Sequence, residues 1–363
     1  MSKALVFTDL HLHSHKQNYN RLQDCLQVLK WVFAQAKERG CSNIFFLGDL
    51  FHERSKIDIL NYLRAFEEFL RFSVESPDMH LYLLVGNHDM YHKERWDVNS
   101  VKPFTAITNV TIVEKPQTLN IDGVNIDFVP HTEHPIKELE ALKKGRDKSD
   151  LKLLLGHMAV HGATLNVLYG TKSDVIVEYD DHMETISPDV FDDWDMTLLG
   201  HYHGAQNLND KVEYVGSPLQ LSFGEAFQDK HIMVLDLKTF EKEYIVNEFS
   251  PKHYILPVSQ IGDYDLNNNF VRVVIEDLGG TELVDIRKHI ESKKAATIDF
   301  KSFDKKKEDA AEIQEAKSIL YKSDEMLEMY LEAVGVPEGL DREKLLKRGR
   351  EIIAAHSSGV VND

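Results

Sequence analysis

NIFFLGDLFHER (residues 43–54) joins a short apolar run, through one glycine, to an acid, a histidine and a basic residue. Asn43–Leu47 has the length and composition of a buried strand, and the polar residues begin where it stops. The same punctuation recurs along the chain. ALVF (4–7) runs into TDLHLH, LYLLV (81–85) into GNHDMYH, LKLLL (151–155) into GHMAVHG, and DMTLL (195–199) into GHYHGA. Between the first two runs, Tyr19 to Arg39 repeats Leu22, Leu26, Leu29, Phe33 and Ala36 at helical spacing. A second helix is expected after Lys56, with Leu60, Leu63, Phe66 or Glu67, and Leu70 along its core side. Strand–helix–strand alternation of this kind predicts an α/β architecture. In such sheets ligands gather at the C-terminal strand ends, where the Asp, His and Asn side chains lie.

The chain of 363 residues is long enough for two or three domains. A hydrophobic content of 42% and a charged content of 28% are those of an ordinary globular protein. No apolar run approaches the roughly 20 residues that span a bilayer, and no basic-then-apolar leader opens the chain. Two cysteines, Cys25 and Cys41, stand in no ligand spacing and point to a reducing cytoplasm. The formal charge of -18 argues against nonspecific nucleic-acid binding by the surface as a whole and leaves room for a local basic groove. After Phe249-Ser250-Pro251 the character changes. YILPV (254–258), FVRVVIED (270–277), a helix around Leu283 to Lys293, and ATIDF (296–300) suggest a small separate α/β unit. From Asp304 the chain turns to lysine and acid, as in a solvated linker or exposed helix. Helices are expected at Asp324–Val334 and Arg342–Ala354, divided by GVPEGLD. The expected division is therefore 1–250, 251–303 and 304–363.

Carboxylate, imidazole and amide oxygen without thiolate suit hard or borderline divalent ions such as Mn²⁺, Mg²⁺, Fe²⁺ or Zn²⁺. One histidine at a strand end is usually structural, and GNHD alone reads as a turn. Five such endings in complementary order are not explained that way.

The order D-x-H, GD-x-x-H, GNHD, GH, GH-x-H resembles the signature of the calcineurin-like metallophosphoesterases. That resemblance implies a four-layered αββα sandwich with two divalent ions, Mn²⁺ ahead of Mg²⁺. It places Asp9, His11 and His203 on one ion, Asn87, His157 and His201 on the other, and Asp49 between them. Two cations about 3.5–4 Å apart share an anionic ligand, activate a water and clamp phosphoryl oxygens. The resemblance sets His88 against the scissile phosphate and gives Asp89 the task of orienting His88 or a ligand.

GDLFH is similar to the SbcD branch, the nuclease subunits of recombination and double-strand-break repair complexes, which makes His52 a second catalytic candidate. That branch also has Y-x-G-S-P-x-x-L-S-F-x-E-A, matched by Tyr214, Gly216, Ser217, Pro218, Leu221, Ser222, Phe223, Glu225 and Ala226. The likeness is clear over residues 1–230 and weakens beyond. It implies a DNA exonuclease and endonuclease with a capping domain facing DNA. It further implies a homodimer and terminal helices that bind a coiled-coil ATPase of the SMC (SbcC) type. The compact length is that of phage versions. His13 departs from the branch, which has glycine there, and reads as a DNA contact or a bond to a ligand. Lys16, Arg21, Arg54, Lys56, Lys93, Arg95 and Lys102, with Tyr91 and Trp96 for stacking, form the expected DNA surface. His15 reads as solvated loop. The rivals are a small-molecule phosphodiesterase or phosphatase of the same superfamily and a catalytically silent DNA-binding subunit. A third, the polymerase-and-histidinol-phosphatase domain, shares the D-L-H-x-H-S opening but not the later motifs.

Overall fold

Two six-stranded sheets face each other in the computed structural model, which describes residues 2–13, 19–144, 152–165, 175–176, 186–275, 280–302 and 341–348. The first sheet runs Lys242–Val246, His231–Asp236, Lys3–Phe7, Asn43–Phe46, His80–Leu84, Val110–Val113. Its last four strands are parallel. The second runs Gln206–Asn207, Val212–Tyr214, Met196–Gly200, Lys152–His157, Val124–Val129, Gln117–Ile121. Its four inner strands are parallel.

Strand periodicity explains the layering, because successive side chains leave a strand on opposite faces. Leu5, Phe7, Ile44 and Phe46 pack on one face of the first sheet with Leu22, Leu26 and Leu29 of α1 (Tyr19–Glu38) and Phe69 of α2 (Ile59–Glu75). Ala4, Val6, Phe45 and Leu47 point the other way, into a second core with Ile126, Phe128, Leu153, Leu155 and Leu198 of the opposing sheet. α3 (Pro135–Lys143) and the turn Pro188–Phe191 cover the outer side of that sheet, where buried Trp194 donates to Asp127 at 2.6 Å. The result is the expected αββα sandwich. Cys25 and Cys41 are free and buried within it.

The core side of α2 differs from the expectation. Its buried residues are Asn61, Ala65, Glu68, Phe69 and Phe72, whereas Leu60, Leu63 and Leu70 stand exposed together with Ile59 and Val74. The helix carries apolar residues around most of its circumference, so spacing alone did not select which stripe faces inward. Phe104 settles the choice, meeting the rings of Phe66 and Phe69 at 5.3 and 4.9 Å.

His253–Pro257, Phe270–Ile275 and Thr297–Ser302 form a parallel three-stranded sheet with α4 (Gly280–Ser292), around a small core of Leu256, Val271, Val273 and Ile290. Buried Arg21 of α1 lies over the Phe270 ring at 5.4 Å and donates to the Gln220 carbonyl at 2.5 Å. All of this belongs to one compact unit, residues 1–179 and 184–304. The second unit comprises residues 180–183 and 305–363; residues 342–348 are helical, and the helix expected at Asp324–Val334 lies outside the described residues.

Phe69→Ala should therefore cost about 3–5 kcal/mol by opening a cavity in the core. Exposed Ile136→Ala should stay within about 0.5 kcal/mol. Urea unfolding followed by circular dichroism separates the two.

Candidate metal centre

The parallel strands of both sheets end at one edge, and there the backbone departs from extended geometry. Asp9, His11, Asp49 and His201 have φ of 52°, 45°, 59° and 102°. Such left-handed residues cost about 1–3 kcal/mol each and persist only where the surroundings fix them. Here the loop after the first strand pairs with the loop after the second. Asp9 N donates to Gly48 O at 3.0 Å, His11 N to Asp49 O at 3.0 Å, and Leu12 N to Leu50 O at 2.8 Å. Asp9 and His11 thus reach the site through two left-handed kinks. The parity of an extended strand, which the spacing D-x-H suggests, is not what aligns them.

Asp89 acts through the backbone. Its buried carboxylate accepts from Gly86 N (3.0 Å), Asp49 N (2.9 Å), Leu50 N (3.1 Å) and Phe51 N (3.4 Å). Burial and the nearby Asp49 push it up to about 7, against the pull of those N–H groups. Asp49 in turn accepts from His88 N at 2.8 Å.

Two groups of side chains meet at Asp49. On one side, His11 Nε2 lies 3.0 Å from His203 Nε2, 3.7 Å from Asp9 Oδ1 and 3.5 Å from Asp49 Oδ2. On the other, Asn87 Oδ1 lies 2.9 Å from both His157 Nε2 and His201 Nδ1, and His157 Nε2 is 3.4 Å from the same Asp49 oxygen. Asp9, His11 and His203 form one set able to hold a metal ion, and Asp9, Asp49 and His157 another. The buried Asp9 Oδ1 has no hydrogen-bond partner among the described residues. A buried carboxylate oxygen facing two imidazole nitrogens without a donor fits a cation.

Burial raises Asp9, but His11, His157 and His203 outweigh it and bring it to about 2. Asp49 is likewise held well below the carboxylate range, by His157 and His11 against burial. Burial opposes the charge on His157, yet Asp49 and Asp9 raise it to about 9, while burial and the neighbouring His157 push His201 down to about 3. The carboxylates beside His157 thus favour positive charge at this point, which a divalent ion would supply.

Beside this centre four imidazoles cluster. His88 Nδ1 donates to the His52 carbonyl at 2.5 Å, its ring lies 4.7 Å from that of His11, and burial lowers its basicity. The exposed His52 ring lies 5.4 Å from His11 and 4.6 Å from His13. His13 Nδ1 donates to the His11 carbonyl at 2.6 Å.

Two neighbours of the centre escaped the sequence reading. His131 lies 6.2 Å from both His157 and His201, nearly parallel to the latter, and its buried Nδ1 has no partner among the described residues. It follows the strand Val124–Val129 as the other site residues follow theirs, but that strand was not among the five apolar runs read from the sequence. Glu225, noted only as part of a motif, meets His203 Nδ1 at 3.0 Å. Burial raises Glu225, but Lys230 and His203 outweigh it and hold it below the carboxylate range.

Some expected DNA contacts are placed otherwise. Arg21 is buried. Trp96 packs against the core and donates to the His131 carbonyl at 2.7 Å. Tyr91 is exposed. Arg54 is half-buried beside Asp49 and Glu133, burial lowering it against their pull. His15 and Lys16 lie outside the described residues.

A Cβ on Gly86 would stand 2.2 Å from Asp49 Oδ1 and 2.4 Å from Asp49 N. Gly86→Ala should therefore displace Asp49 and weaken Mn²⁺ binding about 10-fold or more, as read by equilibrium dialysis, with unchanged circular dichroism.

The model of the calcineurin-like phosphoesterases matches residues 2–205. Exonuclease subunit 1 of Enterobacteria phage T4 is 25% identical over 335 residues, covering 89% of this chain and 90% of its own. Among solved structures, a dimetal phosphatase from Danio rerio is 12% identical and covers 68% of this chain and 98% of its own, with a TM-score of 0.42. An archaeal phosphodiesterase is 15% identical and covers 68% of this chain and 99% of its own, with a TM-score of 0.35. More than half of the chain, including all five strand-end motifs, matches the family, and the protein belongs to the calcineurin-like phosphoesterases.

Proposed function

We propose that this phosphoesterase is the nuclease subunit of an SbcCD-like recombination and double-strand-break repair complex, cleaving DNA phosphodiester bonds at a two-ion centre. The observation that carries the reading is the likeness to the phage exonuclease subunit. It spans 89% of this chain, so it continues past residue 205, where the match to the phosphoesterase family ends.

Asp9, His11 and His203 would hold one ion and Asn87, His157 and His201 the other, with Asp49 shared. Four imidazoles against two carboxylates favour a borderline ion, Mn²⁺ ahead of Mg²⁺. When bound, two such ions supply Lewis acidity toward the phosphoryl oxygens and lower the pKa of water. Asn87 gives a neutral oxygen, which limits the negative charge that meets an anionic substrate. His88 has its Nδ1 proton committed to the His52 carbonyl. Its Nε2 is the ring atom left for the substrate, and the phosphate's charge favours the protonated form that can donate to a leaving oxygen. His52 and His13, beside it, position the phosphodiester.

The charge of -18 confines DNA contact to local groups: Arg54, Lys56, Lys93, Arg95, Lys102 and the ring of Tyr91. Residues 251–303 would cap the DNA, residues 304–363 would bind the SMC-type ATPase, and a homodimer would cover the exposed Ile59, Leu63 and Val74 of α2. A chain of this kind works in the cytoplasm, the host's if phage-encoded.

His88→Ala should lower Mn²⁺-dependent digestion of linear DNA about 10²–10⁴-fold while Mn²⁺ binding stays intact. Unchanged digestion would sink the assignment. Cleavage of bis(p-nitrophenyl) phosphate but of no DNA would move it to a small-molecule phosphodiesterase, and DNA binding without cleavage to a silent subunit. Sedimentation should show the ATPase bound by the full chain and not by residues 1–309, and a dimer that Leu63→Glu turns into a monomer.

A further inference from the structure

The segment Tyr214–Ala226 was distinctive in the sequence and has no part in the chemistry so far. It begins in the strand Val212–Tyr214 of the second sheet and ends in the single turn Phe223–Glu225. That turn delivers one buried carboxylate. Glu225 Oε1 lies 3.0 Å from His203 Nδ1, and Oε2 accepts from Ser217 Oγ at 3.2 Å, Leu221 N at 3.2 Å and Lys230 Nζ at 2.7 Å. Lys230 is buried too, and its Nζ also donates to the His203 carbonyl at 2.8 Å and to Gln228 Oε1 at 3.0 Å. His203 is thus gripped at its ring by the acid and at its backbone by the base. The segment itself is anchored, since the Gln220 carbonyl accepts from Arg21 and its side-chain oxygen accepts from His253 N at 2.6 Å.

A buried ion pair seldom stabilises a fold more than apolar residues of the same size would, so this pair calls for another role. A carboxylate only accepts, so the hydrogen between it and His203 sits on Nδ1. That fixes the tautomer in which Nε2 carries the lone pair, and Nε2 is the atom that meets His11 Nε2 at 3.0 Å. The other candidate ligands lack this support among the described residues. His157 Nδ1 meets a neutral carbonyl, that of Leu47, at 2.7 Å. His201 faces the ion site with Nδ1, beside Asn87, and His11 Nδ1 is 3.4 Å from His52 Nδ1.

We infer that Glu225 is a positioning residue for His203 that makes the Asp9–His11–His203 side the tighter of the two ion sites, with Lys230 as the counter-ion that holds the carboxylate in place. This rests on the two-ion reading above. A carboxylate behind a ligating imidazole fixes its orientation and strengthens it as a donor, and loss of such a partner typically lowers metal affinity 10–100-fold.

The test is a Mn²⁺ titration of the full chain, counting bound ions by equilibrium dialysis and free Mn²⁺ by its paramagnetic resonance. The wild type should bind two ions with separable affinities. Glu225→Gln should weaken the tighter about 10–100-fold and move the other less than about threefold, with Glu225→Asp in between. Glu225→Gln combined with Lys230→Met removes both buried charges and should give the same selective loss, so the result stands even if the single variant folds poorly. Equal weakening of both ions, or of neither, in a variant with the wild-type melting temperature overturns the inference. A wild-type chain that binds fewer than two ions overturns the two-ion reading itself, a different and recognisable outcome.

Discussion

The carboxylate of Asp89 ties the end of the second strand to the end of the third, and the rest of the centre depends on that tie. Four backbone N–H groups converge on it from Gly86 and from Asp49 to Phe51. All are shut away from water, where an unsatisfied donor costs about 1–3 kcal/mol. With the tie in place, Asp49 stands in its left-handed conformation with one oxygen facing both His11 and His157. The pairing of the Asp9–Leu12 loop with the Gly48–Leu50 loop follows from it, and so does the placement of His88, whose N–H rests on Asp49. A single acid that touches no candidate ligand's side chain thereby sets the geometry of both halves.

Charge is handled locally. The chain is acidic as a whole, yet each buried acid at the centre stands against imidazoles: Asp9 against His11 and His203, Asp49 against His157 and His11. Glu225 and Lys230 form a separate neutral pair behind His203, so the acid supports the imidazole without adding net charge where a phosphate must approach.

Much of the fold was legible because buried parallel strands read as continuous apolar runs, and the five strand ends marked by polar residues are found at one edge. The small sheet after Ser250 was legible for the same reason. The inward stripe of α2 was not, because a helix apolar on most sides leaves rotation to be settled by a distant ring, Phe104. The approach of Asp9 and His11 was not legible, because it depends on two left-handed residues and strand alternation holds only while a strand stays extended. His131 escaped notice because the strand before it, VNIDFV, alternates apolar with polar residues and was not read as a buried run. Arg21 looked like a surface cation, but burial against Phe270 and Gln220 is a tertiary fact no local pattern carries. The tie between Glu225 and His203 spans a turn and a strand, and a motif can flag its residues without saying what they touch.

Gly200 adds one consequence. A Cβ there would come within 2.2 Å of Thr8 Oγ1 and 2.8 Å of Leu47 O, so the second sheet touches the first at this edge with main chain where side chains would otherwise intervene. The breadth of the centre is then inherited from the distance between two sheets. Remote changes in the inter-sheet core, such as at Phe45 or Phe128, reach the reactive edge as a change of spacing. The inter-sheet core thereby serves as the spacer of the site as well as the interior of the fold.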